Sequence, residues 1–356
     1  MALNHFLRQA AAALLLAGLV AGTSPALAQT TPIVWRMGSS WPTTLPLLHE
    51  SAVDFAESVR SASGGRLSIE VIDPSKHGMP AGLLQAVKDG KFDLAHTTAQ
   101  YYAAAIPAID LFTAMPFGLT AVENHGWLNE GGGQQLFESI LAPHNILPLA
   151  AGNTEVQMAG WFAKELKGPE DLKGVRIRIN GFPGRVLARV GAVPVPMPLG
   201  EIATAFAKGR IDAADVVGPA IDSTLNLAQY APFYYAPWHE PDVVLHLFIN
   251  RAKFMALPPD LQQIVRQCAQ AAALRSIARA HDRNAVAMRQ LEEQGIFIKP
   301  LPASVLQALH VATEAELADS AKADPDSRRV IDSLLAYKAR VAPYSLKSVG
   351  AVLRDR

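Results

Sequence analysis

Apolar and polar residues follow two different rhythms in the first hundred residues. Residues 33–38 predict a strand and residues 66–72 alternate like a half-buried strand, whereas 45–62 and 82–88 carry apolar residues at helical spacing. Residues 92–96 predict a further strand. Strands that alternate with helices indicate a parallel-dominated sheet, because parallel neighbours need a crossover connection and that connection is usually a helix. The predicted fold class is α/β.

A short pattern occurs twice and indicates two similar lobes. Residues 87–95, VKDGKFDLA, are echoed by residues 206–214, FAKGRIDAA. In each copy a helix end is followed by a glycine, Gly90 or Gly209, which suits the left-handed position that terminates helices, and then by a strand. Open α/β sheets bind ligands in loops at the carboxyl ends of their strands. We therefore expect the residues after the two copies to face each other across a cleft.

The pattern changes to long helices after residue 258. Residues 261–293, 303–323 and 325–340 carry alanine-rich apolar spacing that is typical of helices. The chain also exceeds the ~250–300 residues at which a single core stops growing. The predicted organisation is lobe 1 over residues 29–150, lobe 2 over 151–245, and a returning strand with C-terminal helices over 246–356. Those helices would brace both lobes, and contact with a second copy of the chain in a homodimer remains open.

The first 28 residues have the pattern of an export signal. Arg8 precedes the apolar run of residues 10–21, and Ala26-Leu-Ala28 provides a small-residue cleavage site. About a dozen apolar residues are fewer than the ~20 that a membrane-spanning helix needs. The predicted mature protein begins near Gln29 and is exported.

Charge and cysteine content narrow the class of partner. The 32 basic and 32 acidic residues balance, without a basic stripe, which argues against binding to nucleic acid or to a lipid surface. The single cysteine, Cys268, lies among apolar residues at helical spacing. It cannot form an intrachain disulfide, and a buried packing role is predicted. The expected partner is a small molecule or another protein.

Gln157 and Arg178 precede a predicted helix and suit the capture of a small carboxylate. Gln157 lies in GNTEVQMAGW and Arg178 in the strand VRIRI. An arginine guanidinium matches a carboxylate with two parallel N–H···O bonds, which fix orientation as well as charge. Arg176 shares the polar face of the same strand, so alternation does not choose between the two arginines. A small organic acid is the predicted cargo.

Three segments together resemble the extracytoplasmic solute-binding subunits of TRAP (tripartite ATP-independent periplasmic) transporters. They are residues 152–162, GNTEVQMAGWF; residues 172–179, LKGVRIRI; and residues 209–214, GRIDAA, with a Gly-Pro pair close behind. The resemblance is greatest to the 2-oxo acid and lactate binding group, whose later Tyr-Tyr and Trp-x-Glu region is matched at residues 234–240. It implies a two-lobed periplasmic solute-binding fold, a 2-oxo or 2-hydroxy monocarboxylate as cargo, and membrane permease subunits as partners.

The resemblance also implies roles for single residues. Arg178 would hold the ligand carboxylate, and Gln157 would present its amide oxygen to a bound cation. Asp215 and Glu240, with the backbone carbonyl of Val216, would complete the cation site. Oxygen ligands favour a hard cation such as Na⁺ or Ca²⁺. Because three converging carboxylates repel one another, a cation or a proton is needed if the ligand meets both acidic residues.

Val216 departs from the family pattern, which commonly has a tryptophan there. A valine keeps the backbone carbonyl but lacks the ring. The pocket is then expected to be roomier, or refilled by Phe182, Tyr101 or Trp238. This departure makes a longer or branched oxo acid a plausible cargo.

The first lobe contributes further candidates. Tyr101 and Tyr102 follow the first copy of the repeated pattern, and a phenolic hydroxyl there could donate to a 2-oxo or 2-hydroxy group. Because successive residues point to opposite sides, only one should face the cleft, and Tyr101 is preferred. Trp41, after the first strand, is expected at the cleft edge.

Two other functions remain open. The chain has no Gly-x-Ser-x-Gly elbow, His-Glu-x-x-His, Cys-x-x-Cys or Walker-type loop, so it is not predicted to be an enzyme. A periplasmic lyase or isomerase that uses His239 as its base is nevertheless an alternative. A receptor of the same fold that docks a sensor kinase is another.

Overall fold

The computed structural model describes residues 31–356, so the predicted export signal and the predicted mature start at Gln29 lie outside the described residues. Within the described range, no helix is both long enough and apolar enough to cross a bilayer. The strands are β1 (Ile33–Ser39), β2 (Leu67–Ile72), β3 (Leu94–Thr97), β4 (Ile146–Asn153), β5 (Gly160–Phe162), β6 (Arg176–Arg178), β7 (Val193–Pro194), β8 (Ala213–Ala214), β9 (Phe233–Ala236), β10 (Val244–Asn250) and β11 (Ile298–Pro300).

Helices cover both sheets and fill most of the last hundred residues. The α-helices are α1 (Leu48–Ala62), α2 (Pro74–His77), α3 (Leu83–Lys88), α4 (Ala121–Glu130), α5 (Gly133–Leu141), α6 (Gly181–Arg189), α7 (Ile202–Ala207), α8 (Pro219–Asp222), α9 (Arg251–Met255), α10 (Pro259–Glu293), α11 (Ala303–Ala323), α12 (Pro325–Lys347) and α13 (Val349–Arg354). Short 3₁₀ helices are Ala99–Tyr102, Pro107–Phe112, Ala142–His144, Pro169–Leu172, Leu199–Glu201, Ser223–Leu225 and Leu227–Gln229.

The strands form two mixed sheets. The first has the order β2-β1-β3-β10-β4, in which β1 runs parallel to β2 and β3 while β10 runs antiparallel to β3 and β4. The second has the order β11-β9-β5-β8-β6-β7, with antiparallel pairing on both sides of β5 and parallel pairing elsewhere. The parallel β2-β1-β3 unit agrees with the alternation of strands and helices in the sequence. The antiparallel return of β10 is not visible in that alternation.

The chain crosses between the two sheets three times. Residues 154–159 lead from β4 to β5, residues 237–243 lead from β9 to β10, and α10 leads back toward β11. The 35-residue α10 packs on β4 and α1 of the first sheet and on α8 beside the second. The predicted lobe boundaries at 150 and 245 fall within β4 and β10, two neighbouring strands of the first sheet, and they stay predictions.

Apolar side chains between the helices and sheets form the core. On one face of the first sheet, α1 and α10 pack Phe55, Val59 and Val265 against strand residues. Cys268 belongs to the same cluster and is 7 % exposed, as the sequence pattern predicts. Its burial also raises the pKa of the thiol. The cysteine is therefore a packing residue in this structure.

The two copies of the repeated pattern share one backbone arrangement. The glycine of each copy lies in the left-handed region, at φ +74° and +62°. The following aspartate reaches the neighbouring strand: Asp93 Oδ2 accepts the Arg36 N–H at 2.6 Å, and Asp212 Oδ2 accepts the Arg176 N–H at 3.0 Å. Each aspartate N–H in turn donates to the carbonyl of that arginine. The pattern therefore fixes how a strand docks beside its neighbour in both sheets.

Gly160 at the start of β5 has no space for a side chain. Its φ is +89°, and a Cβ there would lie 2.1 Å from the Ala214 carbonyl oxygen. We expect Gly160→Ala to lower the free energy of unfolding by about 3 kcal/mol, since backbone strain and overpacking add. Gly209→Ala is the matched control, because φ there is +62° but nothing lies within 4 Å. Gly209→Ala should lower the free energy of unfolding by only about 1 kcal/mol. Equal urea midpoints for the two variants would contradict this account.

Candidate functional site

A small cavity lies between the two sheets and brings the predicted site residues together. The centre of a water molecule can reach about 30 Å³ of it, which is room for roughly two or three waters or a small ligand. Its wall contains all seven residues predicted from the sequence: Trp41, Tyr101, Gln157, Arg178, Asp215, Val216 and Glu240. The other lining residues are Leu48, Thr98, Gln100, Thr154, Leu199, Val217, Val243 and Leu245.

Arg178 is the arginine in the cavity wall. It ends β6 and is 3 % exposed, with Nε donating to the Met197 carbonyl at 3.1 Å and Nη1 to the Asp215 carbonyl at 2.8 Å. Its Nη2 makes no hydrogen bond with any residue in 31–356. Two backbone carbonyls thus fix the guanidinium plane, while one edge remains available for an anion.

Arg176 is engaged elsewhere. Its Nε and Nη2 donate to the two carboxylate oxygens of Asp212, at 2.8 and 2.7 Å, and its Nη1 donates to the Gly209 carbonyl. The side chains of this pair are 42 % and 39 % exposed. The structure therefore separates two arginines that strand alternation leaves equivalent.

Three buried side-chain oxygens in the cavity wall lack a hydrogen-bond donor among the described residues. They are Gln157 Oε1, Asp215 Oδ1 and Glu240 Oε1, and each of these residues is at most 5 % exposed. Burying an oxygen that accepts no hydrogen bond costs free energy. Carboxylate and amide oxygens are also the ligands that hard cations prefer. Within residues 31–356, no group of three or more His, Cys, Asp or Glu side chains could hold a metal. A cation here would depend on a mixed set of two carboxylates, an amide and backbone carbonyls.

The electrostatics of the cavity favour an added positive charge. Burial raises the pKa of Glu240 well above its usual range, and the nearby Asp215 carboxylate raises it further. Burial also raises the pKa of Asp215, against the opposing effect of the Arg178 guanidinium. One guanidinium therefore faces two carboxylates that would both need to be ionised to act as cation ligands.

Tyr101 and Tyr102 point in different directions. Tyr101 lines the cavity beside Trp41, with ring centroids 6.2 Å apart. Tyr102 is 6 % exposed, and its hydroxyl lies 3.1 Å from Thr97 Oγ1 in the core of the first sheet. The Trp41 ring is held by a hydrogen bond from its Nε1 to His96 Nδ1 at 2.8 Å. Burial lowers the pKa of His96 to about 4, so this nitrogen is available as an acceptor.

Of the three aromatic residues offered to refill the space beside Val216, Phe182 and Trp238 do not line the cavity. Phe182 is fully buried beneath the Arg185 guanidinium, and Trp238 packs against the His239 ring at 4.1 Å. Of the three aromatic candidates, Tyr101 alone lines it. Leucine and valine side chains provide the apolar wall instead, and most of them come from helices and connecting segments; Leu245 of β10 is the one that lies in a strand of the described structure. These residues carry no signal in the sequence beyond their hydrophobicity.

Threonine and glutamine residues of the wall were also missed. Thr98 and Gln100 lie in the loop after the first copy of the repeat, and Thr154 lies within the GNTEVQ segment. Thr154 Oγ1 accepts a hydrogen bond from Gln157 Nε2 at 3.3 Å. Their position in segments already associated with binding is the signal that could have found them.

His239 lies outside the cavity wall. It is fully buried, and its ring packs against Trp238 and Phe117. Burial lowers the pKa of His239 to about 3, so the ring is neutral at physiological pH. The geometry gives no support to His239 as a catalytic base for a ligand in this cavity.

The family model of bacterial extracellular solute-binding protein, family 7, known as DctP, matches residues 37–324. The chain belongs to this family. A member of such a family acts outside the cytoplasm, and TRAP-type membership implies membrane permease subunits as partners. This confirms the resemblance to TRAP solute-binding subunits that the sequence motifs indicate.

Individual relatives extend over nearly the whole chain. The monocarboxylate 2-oxoacid-binding periplasmic protein of Nostoc sp. is 33 % identical over 320 residues, 90 % of this chain and 88 % of that protein. A TRAP periplasmic solute-binding protein from Pseudoalteromonas atlantica, solved with bound sodium and pyruvate, has a TM-score of 0.89 and 32 % identity, over 91 % of this chain and 99 % of its own. A TRAP solute-binding protein from Bordetella bronchiseptica was solved as a mixed occupancy dimer with calcium and picolinate. It has a TM-score of 0.88 and 30 % identity, and the match covers 91 % of this chain and 96 % of that one. The predicted two-lobed fold with long C-terminal helices is confirmed.

Proposed function

We propose that this protein is the periplasmic receptor of a TRAP transporter and captures a small 2-oxo monocarboxylate of the pyruvate class together with Na⁺ or Ca²⁺. The observation that carries the proposal is the meeting of the free edge of Arg178 with three unpartnered oxygens in one cavity. The relatives that bind pyruvate or 2-oxo acids support the same ligand class.

Carboxylate capture depends on Arg178. Its guanidinium is held by the Met197 and Asp215 carbonyls before a ligand arrives, so little side-chain entropy is lost on binding. Nη2, which makes no hydrogen bond within residues 31–356, is left to donate to the ligand carboxylate. Tyr101 also lines the cavity, and its hydroxyl could donate to a 2-oxo or 2-hydroxy oxygen.

Charge balance supports a cation beside the ligand. With Asp215 and Glu240 ionised, Arg178 leaves the cavity with one net negative charge, and a bound carboxylate adds a second. A monovalent cation halves that excess and a divalent cation cancels it, so either Na⁺ or Ca²⁺ suits the site. Gln157, Asp215 and Glu240 would hold the cation, which would supply a positive charge to offset the ligand carboxylate.

The size of the cavity favours a short acid. The apolar side is closed by Leu48, Leu199 and Leu245, and the space left by Val216 does not make the cavity large. A methyl or ethyl group is the alkyl part that suits such a wall. This favours pyruvate and 2-oxobutyrate over the longer or branched acids that the Val216 departure suggests.

We infer that the acid is captured and released without turnover, in line with the solute-binding role of the family. Closure of the two lobes over the ligand would shift a pre-existing open–closed equilibrium, and the closed form would be the one that the permease recognises. Export by residues 1–28 would place the receptor in the periplasm. Nothing in the site favours a sensor kinase as the docking partner.

A thermal-shift screen of ligand-stripped protein tests this function. Pyruvate, 2-oxobutyrate, branched 2-oxo acids, lactate and dicarboxylates would each be added with Na⁺, Ca²⁺ or a chelator. We expect the short 2-oxo acids, in the presence of a cation, to stabilise the fold by ~4 kcal/mol at a thousandfold excess over the dissociation constant. At the same concentration in chelated buffer, the stabilisation should be about 1.4 kcal/mol or less. Unchanged pyruvate in the NMR spectrum after incubation would distinguish a receptor from an enzyme. No stabilisation by any acid would refute the proposed ligand class.

A further inference from the structure

We propose that Asp242 is the positioning residue of this site, a buried carboxylate that ties together the three chain segments crossing between the sheets. It is 2 % exposed and lies outside the cavity wall. Its Oδ1 accepts from Asn153 Nδ2 at 2.6 Å, and its Oδ2 accepts from Asn124 Nδ2 at 2.7 Å. The carboxylate thus joins the 237–243 crossing to the end of β4 and to α4.

Asn153 extends the connection to the third crossing. Its backbone N–H donates to Ser276 Oγ at 2.7 Å, and Ser276 lies in the long helix α10. The Asn153 Oδ1 accepts the Glu155 N–H at 2.7 Å, which turns the chain at the start of the 154–159 crossing. Glu155 has a φ of +63°, a conformation that a residue other than glycine rarely adopts. Asp242 and Asn153 therefore form one node for all three crossings.

Backbone hydrogen bonds connect this node to Gln157 and Glu240, two of the three residues whose unpartnered oxygens would hold a cation. The Gln157 N–H donates to the Glu240 carbonyl at 3.1 Å, and the Thr154 N–H donates to the Val243 carbonyl at 3.0 Å. These two bonds pair the 154–159 and 237–243 crossings on either side of Asp242. The pairing directs Gln157 and Glu240 into the same cavity.

A carboxylate suits this position better than an amide. Two side-chain NH₂ groups point at it, and each donates to one of its carboxyl oxygens. Burial raises the pKa of Asp242 to about 7, and these two hydrogen bonds oppose that rise because they favour the ionised form, which only accepts. An asparagine would turn its own NH₂ toward one of those donors. Because both partners of Asp242 are neutral amides, its burial stabilises the fold little, and its role is to fix geometry.

Hydrogen exchange without ligand and cation-dependent binding of pyruvate test the inference. Only the binding measurement rests on the proposed function. In ligand-free Asp242→Ala, we expect faster hydrogen exchange at the Thr154 and Gln157 amides than in the unmodified protein. With pyruvate and Na⁺ or Ca²⁺, we expect the cation concentration for half-maximal binding to rise about 10- to 100-fold, as for other residues that orient metal ligands. Asp242→Asn, which keeps one acceptor and the side-chain shape, should show a smaller increase.

Asp93→Asn is the matched control. Asp93 also joins two strands of the first sheet, through the Arg36 N–H, but lies outside the cavity. It should leave the cation requirement unchanged. The inference would be overturned if folded Asp242→Ala exchanged the Thr154 and Gln157 amides at the rates of the unmodified protein. If the alanine variant does not fold, the same comparison is made with Asp242→Asn. If the unmodified protein binds no acid, the proposed function fails, and the exchange rates still decide the role of Asp242.

Discussion

Arg178→Ala is expected to abolish measurable binding of pyruvate. The substitution removes the one guanidinium that lines the cavity within residues 31–356, and leaves Asp215 and Glu240 facing the ligand carboxylate without a fixed positive charge. Breaking a buried charge pair by removal of one partner costs about 3–5 kcal/mol, which corresponds to a loss in affinity of at least about 100-fold. Isothermal titration calorimetry at saturating Na⁺ or Ca²⁺ would measure the affinity of the variant for pyruvate.

Arg176→Ala is the matched control for this prediction. Arg176 lies two residues away on the same strand, carries the same charge, and pairs with Asp212 outside the cavity. Its loss should leave pyruvate affinity within about twofold, since the Arg176–Asp212 pair is partly exposed and lies outside the cavity wall. Circular dichroism would verify that both variants are folded. Equal loss of affinity in the two variants would assign the effect to net charge and contradict a specific contact with Arg178.

The fold is visible in the sequence where local patterns decide it. The two repeat glycines predict helix ends that both occur, at φ +74° and +62°. Alanine-rich spacing predicts the three long C-terminal helices, of which the last continues to Lys347 instead of ending at 340. These features depend on neighbours in sequence, where periodicity carries information.

The site is only partly visible, because its geometry depends on distant residues. Motifs indicate Gln157, Arg178, Asp215 and Glu240, but alternation cannot separate Arg178 from Arg176, since both lie on one face of β6. Asp212 separates them by pairing with Arg176 alone.

The hydrogen bonds of Asp242 could not be predicted from the sequence either, because they join residues that are far apart in the chain. Asp242 contacts Asn124 and Asn153, which lie 118 and 89 residues away in the chain. No local pattern reveals such a contact. The antiparallel β10, which brings residues 237–243 back to the end of β4, creates it.

The second large effect expected is the loss of cation dependence in the double variant Asp215→Asn, Glu240→Gln. In the unmodified protein, two carboxylates and the ligand compete for one guanidinium, so removal of Na⁺ and Ca²⁺ should lower pyruvate affinity by about 100-fold or more. With both carboxylates neutralised, Arg178 alone balances the ligand charge. Binding should then be weaker than in the cation-saturated protein, because the bridge is lost, and it should be indifferent to added cation.

Asp110→Asn provides the control for that double variant. Asp110 is fully buried, burial raises its pKa to about 6, and it pairs with Arg185. It does not line the cavity, but its charge helps to raise the pKa of Glu240, so Asp110→Asn changes a nearby charge without removing an oxygen from the cavity wall. Neutralising it removes a buried carboxylate of the same kind, yet the requirement for Na⁺ or Ca²⁺ should persist. Titrations of pyruvate in chelated buffer and in buffer with each cation would measure the dependence for all three proteins.

If the double variant still requires a cation as strongly as the unmodified protein, the cation is held by other groups. The three unpartnered oxygens of Gln157, Asp215 and Glu240 would then need a different partner, of which a proton shared between the two carboxylates is the simplest.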